Sequence, residues 1–264
     1  MITYKDELRI KKQRRLILVL ALFLFAVIGV ATGLSYFLFF TKIFDVRAVN
    51  IDAPESVSVS LGEATDKWLD AGIWRFTRRN NILFVSAEQL AAQLGKEFPA
   101  LGLVVVVKNF PHAILISAVE RKPLGTWCVS KQGKCFYFDK NGTVYVETQP
   151  SSGFLLANVV DHQTEKLKLG DALTSWGWFE NIMSARDLLA RAGINVYEFV
   201  IPVGSFDEFD ARTSYGWKIM FGNSTDIKKQ VGALSAFLEE KLTPEQKSQL
   251  QYIDLRIQDR IYYK

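Results

Sequence analysis

Two cysteines, Cys128 and Cys135, flank Val-Ser-Lys-Gln-Gly-Lys, a run that reads as a hairpin loop. A turn at Lys131-Gln132 would set them opposite each other on adjacent strands. A disulfide is then one reading and a pair of reduced or buried thiols the other, with compartment and strand geometry deciding between them. Metal chemistry has little to draw on, because His112 and His162 are the only histidines and neither has ligand spacing. His112 follows Pro111 in a turn, where a surface role suits it better than that of a general base. Glu239-Glu240 falls on a helix surface as solvated charge. Asp139-Lys-Asn-Gly142 reads as a structural turn, since an EF-hand loop needs Gly at its sixth position and Glu at its twelfth. There is no phosphate-cradling glycine loop, nucleophile elbow or zinc helix motif, so the expectation is no catalytic residue, no metal, no cofactor and no small-molecule substrate.

The elements that would carry these residues begin with an anchor. Leu16 to Phe40 is an uninterrupted apolar run of 25 residues, preceded by Arg9, Lys11, Lys12, Arg14 and Arg15. At helical rise it reaches roughly 37 Å, enough to cross a hydrocarbon core of about 30 Å. Thr32 and Ser35 are tolerable because a helix returns their hydroxyls to its own carbonyls. A cleaved signal peptide is the alternative, but its apolar core would be shorter and end at small residues. Here Gly29, Ala31 and Gly33 lie inside the run, and Leu34, Tyr36, Phe37, Leu38, Phe39 and Phe40 continue beyond them. The basic end stays in the cytoplasm by the positive-inside rule, which sends residues 41–264 to the far side.

Charge divides along the same line. Residues 1–15 hold six of the 32 basic residues and two of the 28 acidic ones, leaving 26 of each in the rest of the chain. The high pI therefore belongs to the tail, which suits anionic lipid headgroups and removes the main support for nucleic-acid binding.

Outside the membrane, Phe44 to Ile51 alternates as a strand, with Phe44, Val46, Ala48 and Asn50 on one face, and Pro54 ends it. It would start only three residues past the anchor and hold its domain close to the bilayer. Ser58 to Gly72 reads as a helix with Leu61, Ala64, Trp68 and Leu69 at helical spacing. Ser86-Ala-Glu-Gln89 is a capping box for a second helix bearing Leu90, Leu94 and Phe98, closed by Pro99. Leu103 to Lys108 and Ala113 to Glu120 then form two β-branched strands around a short connection. The order is β-α-α-β-β.

These residues resemble a known family. A single POTRA-like unit behind one N-terminal anchor, with Asn80-Asn-Ile-Leu-Phe-Val85 leading into its second helix, is similar to the FtsQ/DivIB cell-division proteins. Lys108-Asn-Phe-Pro-His112 running into Ile114-Leu-Ile-Ser-Ala-Val-Glu-Arg-Lys-Pro123 resembles that family's hairpin and its Glu-Arg-x-Pro exit.

From Leu124 onward short aromatic and β-branched segments dominate: Thr126 to Ser130, Lys134 to Asp139 and Thr143 to Thr148. Asn141-Gly142 signals a type I′ hairpin that would set Phe138 across from Tyr145. Thr174-Ser175 could cap a helix with Phe179, Ile182, Ala185, Leu189 and Ala192 as its apolar stripe and Gly193 as its stop. Asn195 to Val203, Phe206 to Arg212 and Trp217 to Phe221 read as strands. Asp226 to Leu242 is a second helix, with Ile227, Val231, Leu234, Leu238 and Leu242 aligned, and Thr243-Pro-Glu-Gln246 opens a short third. Gln251 to Ile257 and Arg260 to Tyr263 are extended. Pro150 to Gly170 is weakly patterned.

This half is also similar to the family, through Gly216-Trp-Lys-Ile-Met-Phe-Gly222, Tyr252-Ile-Asp-Leu-Arg256 and Arg260-Ile-Tyr-Tyr-Lys264. The resemblance covers roughly residues 8–264 and implies an α+β chain: cytoplasmic tail 1–15, transmembrane helix 16–40, POTRA domain 41–122, and a mostly β domain 123–264 with two main helices. It implies a non-catalytic divisome scaffold at the septum, binding FtsB/DivIC-like and FtsL-like partners. An exposed edge strand offers backbone groups to an incoming strand. Alternation assigns Ile253, Leu255 and Ile257 to the core and Tyr252, Asp254 and Arg256 to the partner, with Arg260 and Tyr262 of the closing segment joining that set; an ordinary terminal strand with a solvated face is the plainer reading. A POTRA-bearing transport accessory and a membrane-anchored ectoenzyme are the alternatives. A type II glycoprotein is a third, through Asn141-Gly-Thr143 and Asn223-Ser-Thr225.

Overall fold

The computed structural model describes residues 4–71, 80–151 and 153–264, with six α-helices and twelve strands among them. Gly72, the expected stop of the first helix after the anchor, lies outside the described residues. The chain divides into two compact units, residues 1–94 with 104–118 and residues 95–103 with 119–264.

α1 (Tyr4–Phe40) takes in both the basic segment and the apolar run. Its stretch Arg15–Leu38 is long and apolar enough to cross a membrane, and none of it is buried by protein. The Thr32 hydroxyl donates to the carbonyls of Ile28 and Gly29, so its polarity is absorbed within the helix. A 3-10 turn, Lys42–Phe44, follows. The strand expected from Phe44 therefore starts later, as β1 (Ala48–Asp52). Phe44 and Val46 are engaged elsewhere: Ile82 N–H donates to Phe44 O and Val46 N–H to Asn80 O. The phase also differs, with Val49 and Ile51 turned inward and Ala48 and Asn50 exposed. Burial follows side-chain size here, and the larger residues take the inner face.

In the first unit, α2 (Glu55–Asp70) begins directly after Pro54, three residues before Ser58. Proline lacks an N–H and has a fixed φ, so it suits a helix entrance. α2 buries Leu61, Thr65 and Leu69, and the Thr65 hydroxyl donates to Leu61 O at 2.7 Å. Ser86 caps α3 (Ala87–Glu97) by accepting from Gln89 N–H. β2 (Leu101–Asn109) and β3 (Ala113–Glu120) complete a sheet ordered β1-β3-β2, with β1 parallel to β3. Ile114, Ile116 and Val106 face the core, whereas Val105, Val107 and Leu115 face outward and are exposed.

The second unit is built on a nine-stranded sheet ordered β12-β11-β10-β9-β8-β7-β4-β5-β6. In chain order these are β4 (Gly125–Val129), β5 (Lys134–Phe138), β6 (Val144–Thr148), β7 (Ala157–Asp161), β8 (Val196–Ile201), β9 (Glu208–Thr213), β10 (Lys218–Gly222), β11 (Tyr252–Asp254) and β12 (Tyr262–Tyr263). Two main helices, α4 (Phe179–Arg191) and α5 (Ile227–Glu240), share one core with Trp127, Phe138, Phe199, Phe209, Phe221 and Ile253. α6 (Pro244–Gln249) carries the expected capping box between Thr243 and Gln246.

Several local expectations change. β7 arises within the weakly patterned stretch and lies between β4 and β8, parallel to both. Its polar residues hid it. Asn158 is buried and donates to Gly153 O and Tyr197 O, and Asp161 accepts from the Trp127 indole at 3.0 Å. Such groups are tolerated inside because each is partnered. At Asn141-Gly142 only the glycine has positive φ, and Gly142 N–H donates to Asp139 O. The turn is thus not type I′, which needs both central residues left-handed. The Asp139 carboxylate accepts from Asn141 N–H and Thr143 N–H and favours the wider loop. A register shift at Tyr137/Phe138 then pairs Phe138 with Val144, and Tyr145 stacks on Tyr137 instead. α4 starts four residues past Ser175, because Thr174-Ser175 is taken up in a 3-10 turn ended by Gly177 at φ 78°. Ala192, expected on the α4 stripe, is exposed just past the helix end.

Gly125 is a position of close approach. A Cβ there would lie 2.2 Å from Ala157 O and 2.5 Å from the Phe138 ring. Gly125→Ala should therefore cost about 2–3 kcal/mol or more, read as a lowered thermal midpoint by near-ultraviolet circular dichroism of the detergent-solubilised chain.

Candidate functional site

The residues expected to meet a partner come together at the C-terminal end of the large sheet. β11 runs parallel to β10, pairing Lys218 with Tyr252 and Met220 with Asp254. On its other side it pairs antiparallel with β12, Ile253 opposite Tyr263 and Asp254 opposite Tyr262. β11 is therefore an interior strand, and the expected open edge is occupied on both sides from Tyr252 to Asp254. The edge is β12. Residues too distant in sequence to suggest pairing close that gap: Lys264 N–H donates to Tyr252 O and Tyr252 N–H to Lys264 O.

That exchange also fixes which way β12 points. In an antiparallel ladder the residues that trade hydrogen bonds alternate with residues whose backbone groups face away. Tyr252 and Lys264 trade, so Tyr263 directs its N–H and C=O outward. Its ring lies 4.9 Å from that of Phe237 on α5. Tyr252, Asp254 and Tyr262 share the opposite face, as the alternation required, and Ile253 and Leu255 are buried. Ile257, assigned to the core from sequence, is 52% exposed, because the strand has already ended.

Arg256 is engaged within the protein. Its guanidinium donates twice to the Asp254 carboxylate, at 2.9 and 2.7 Å, and also to Glu208. These bonds hold the Asp254 carboxyl below its ordinary 3.8, outweighing a partial burial that acts the other way, and Lys218 adds to the effect. The same bonds push Arg256 upward. Neighbouring pairs Lys218–Asp210 and Arg212–Glu198 continue the charged row along β8 to β10. Arg260 is exposed and reaches the Tyr262 hydroxyl at 3.5 Å. Glu208, 48 residues away, is the contributor that no sequence signal announced.

Cys128 and Cys135 are joined by a disulfide and are direct cross-strand neighbours of β4 and β5. His112 is exposed in the β2–β3 turn, and His162 follows β7. Burial, with Asp139 nearby, pushes the Tyr145 phenol up to about 12. Glu239 and Lys247 line a cleft of about 560 Å³ together with Tyr215, Trp217 and Leu238. Among the described residues no cluster of His, Cys, Asp and Glu could hold a metal ion.

Compared with models of known protein families and with curated proteins, the chain matches none.

Two outcomes are expected. Unreduced protein, once denatured, should show no titratable thiol, and reduction should cost about 2 kcal/mol for so short a loop. The depressed Asp254 carboxyl contributes stability that is present above about pH 4 and lost as pH falls through its folded value. Asp254→Asn should therefore flatten the acid limb of a plot of thermal midpoint against pH.

Proposed function

We propose that this chain is a non-enzymatic, single-pass membrane scaffold of the FtsQ/DivIB type, acting at the division septum. In this reading α1 crosses the cell membrane with its basic end in the cytoplasm, and the β-α-α-β-β unit is a POTRA domain. The C-terminal β domain captures FtsB/DivIC-like and FtsL-like partners and so links them to septal wall synthesis. The observation that supports it most is the open end of the nine-stranded sheet at β12. An incoming strand gains backbone hydrogen bonds from Tyr263, while Tyr262, Tyr252 and Arg260 offer side chains for selectivity.

The informative substitution for this reading lies on β12. Proline at Leu255 would remove a bond inside the sheet, since Leu255 N–H donates to Met220 O. Tyr263→Pro removes an outward donor instead. It should weaken capture of the FtsB/DivIC-like partner by tenfold or more, or about 1.4 kcal/mol, while Tyr263→Phe retains it. Unchanged affinity for Tyr263→Pro, measured on the folded full-length chain, would exclude strand addition at β12. Uniform membrane signal of a fluorescent fusion in dividing cells would count against the septal assignment.

A further inference from the structure

We propose that the β2–β3 turn is a second membrane contact, with Phe110 seated in the interfacial layer of the bilayer that α1 crosses. The proposal rests on α1 spanning the membrane and not on the identity of any protein partner. A chain of short contacts, all within the first unit, ties this turn to the end of the span. Asn81, itself buried, donates its side-chain N–H to Leu38 O at 3.0 Å, and Leu38 is the last residue of the membrane-spanning stretch. The Asn81 side-chain oxygen accepts from Leu83 N–H, so the amide is held at both ends. The Phe37 and Phe44 rings meet edge to face at 6.2 Å beside it.

Two further links reach the turn. Ile82, next to Asn81, donates its N–H to Phe44 O and accepts from Lys108 Nζ at 3.1 Å. His112 O accepts from both Arg47 N–H and Ala48 N–H, at 2.8 and 3.3 Å. Lys108 and His112 bracket Asn109-Phe110-Pro111, so both legs of the turn are fastened to residues that adjoin the helix exit. That places the turn at the membrane end of its unit.

The chemistry of the turn suits a lipid interface. Phe110 is 58% exposed, and Ile43, Val107 and Leu115 nearby are exposed as well. An aromatic ring left in water at this height gains by entering the headgroup boundary. Pro111 brings no N–H to desolvate. Among the described residues the ionic groups at this end are Lys42, Arg47 and Lys108 against Asp45, with the exposed His112, a balance that favours anionic headgroups.

The test uses the full-length chain carrying Phe110→Cys, labelled with bimane and reconstituted in vesicles of phosphatidylcholine and phosphatidylglycerol. The native cysteines are bonded to each other, so the new thiol is labelled alone. Leu115→Cys is the second position, and Val59→Cys, 73% exposed near the start of α2 and past the far end of β1 in the same unit, is the reference. Lipid spin-labelled near the headgroup should quench the Phe110 probe at least twofold more than the Val59 probe, with a blue-shifted emission and intermediate quenching at Leu115. Equal quenching at Phe110 and Val59 in chains that float with the vesicles would overturn the proposal. So would shielding that develops only when a partner protein is added, because the turn would then dock protein. Chains that fail to float would remove the span reading and this contact together. Failed partner capture at β12 would leave the quenching result unaffected.

Discussion

Backbone pairing is the constraint on which this structure rests. A sheet that buries Trp127, Phe199, Phe209, Phe221 and Ile253 beneath α4 and α5 must hand each strand's N–H and C=O groups to a neighbour. Eight of the nine strand positions in the large sheet are extended by another strand on the β12 side, and the series ends at β12, two residues long. Shortness limits what an open edge can attract by accident. A terminal strand of this kind is stable because its neighbour is already fixed from the other side. The outward backbone groups at this end of the ladder are those of Tyr263.

Buried polar groups then determine how the sheet closes. Asp139 accepts from two backbone N–H groups of its own turn and also pairs with Arg121, whose Nε donates to Pro99 O at 2.8 Å. Gln230 bridges α5 to β10 through the N–H and C=O of Gly222. Asn158 and Asp161 do the same for the centre of the sheet. Each of these groups would be costly inside without its partners and is well placed with them, so together they specify one register among several apolar alternatives.

At the other end of the chain, Asn81 performs a related task. By donating to Leu38 O, one of the last carbonyls of α1, it continues the satisfaction of helix-end acceptors beyond the helix itself. The Thr41 hydroxyl serves Phe37 O in the same way. A helix apolar enough to cross a membrane has few donors of its own to offer its last carbonyls, and here the folded unit supplies one. The consequence is a short, braced exit.

Much was legible in the residues alone. Length and apolarity marked α1, helical spacing marked α2 to α5, and Thr243 to Gln246 announced a cap that the structure forms in full. Alternation put Tyr252 and Asp254 on one face and Ile253 on the other. These features are local, set by periods of 3.6 and 2 residues and by cap chemistry, so sequence suffices for them. Sequence could not say that Lys264 folds back to cover β11, that Arg256 is claimed by Glu208, or that β7 joins β4 to β8. Nor could it choose between bonded and free cysteines. Each of those outcomes depends on which distant segments become neighbours. Only the closed tertiary structure decides that, because the free energy of a pairing comes from the groups it buries and partners at once.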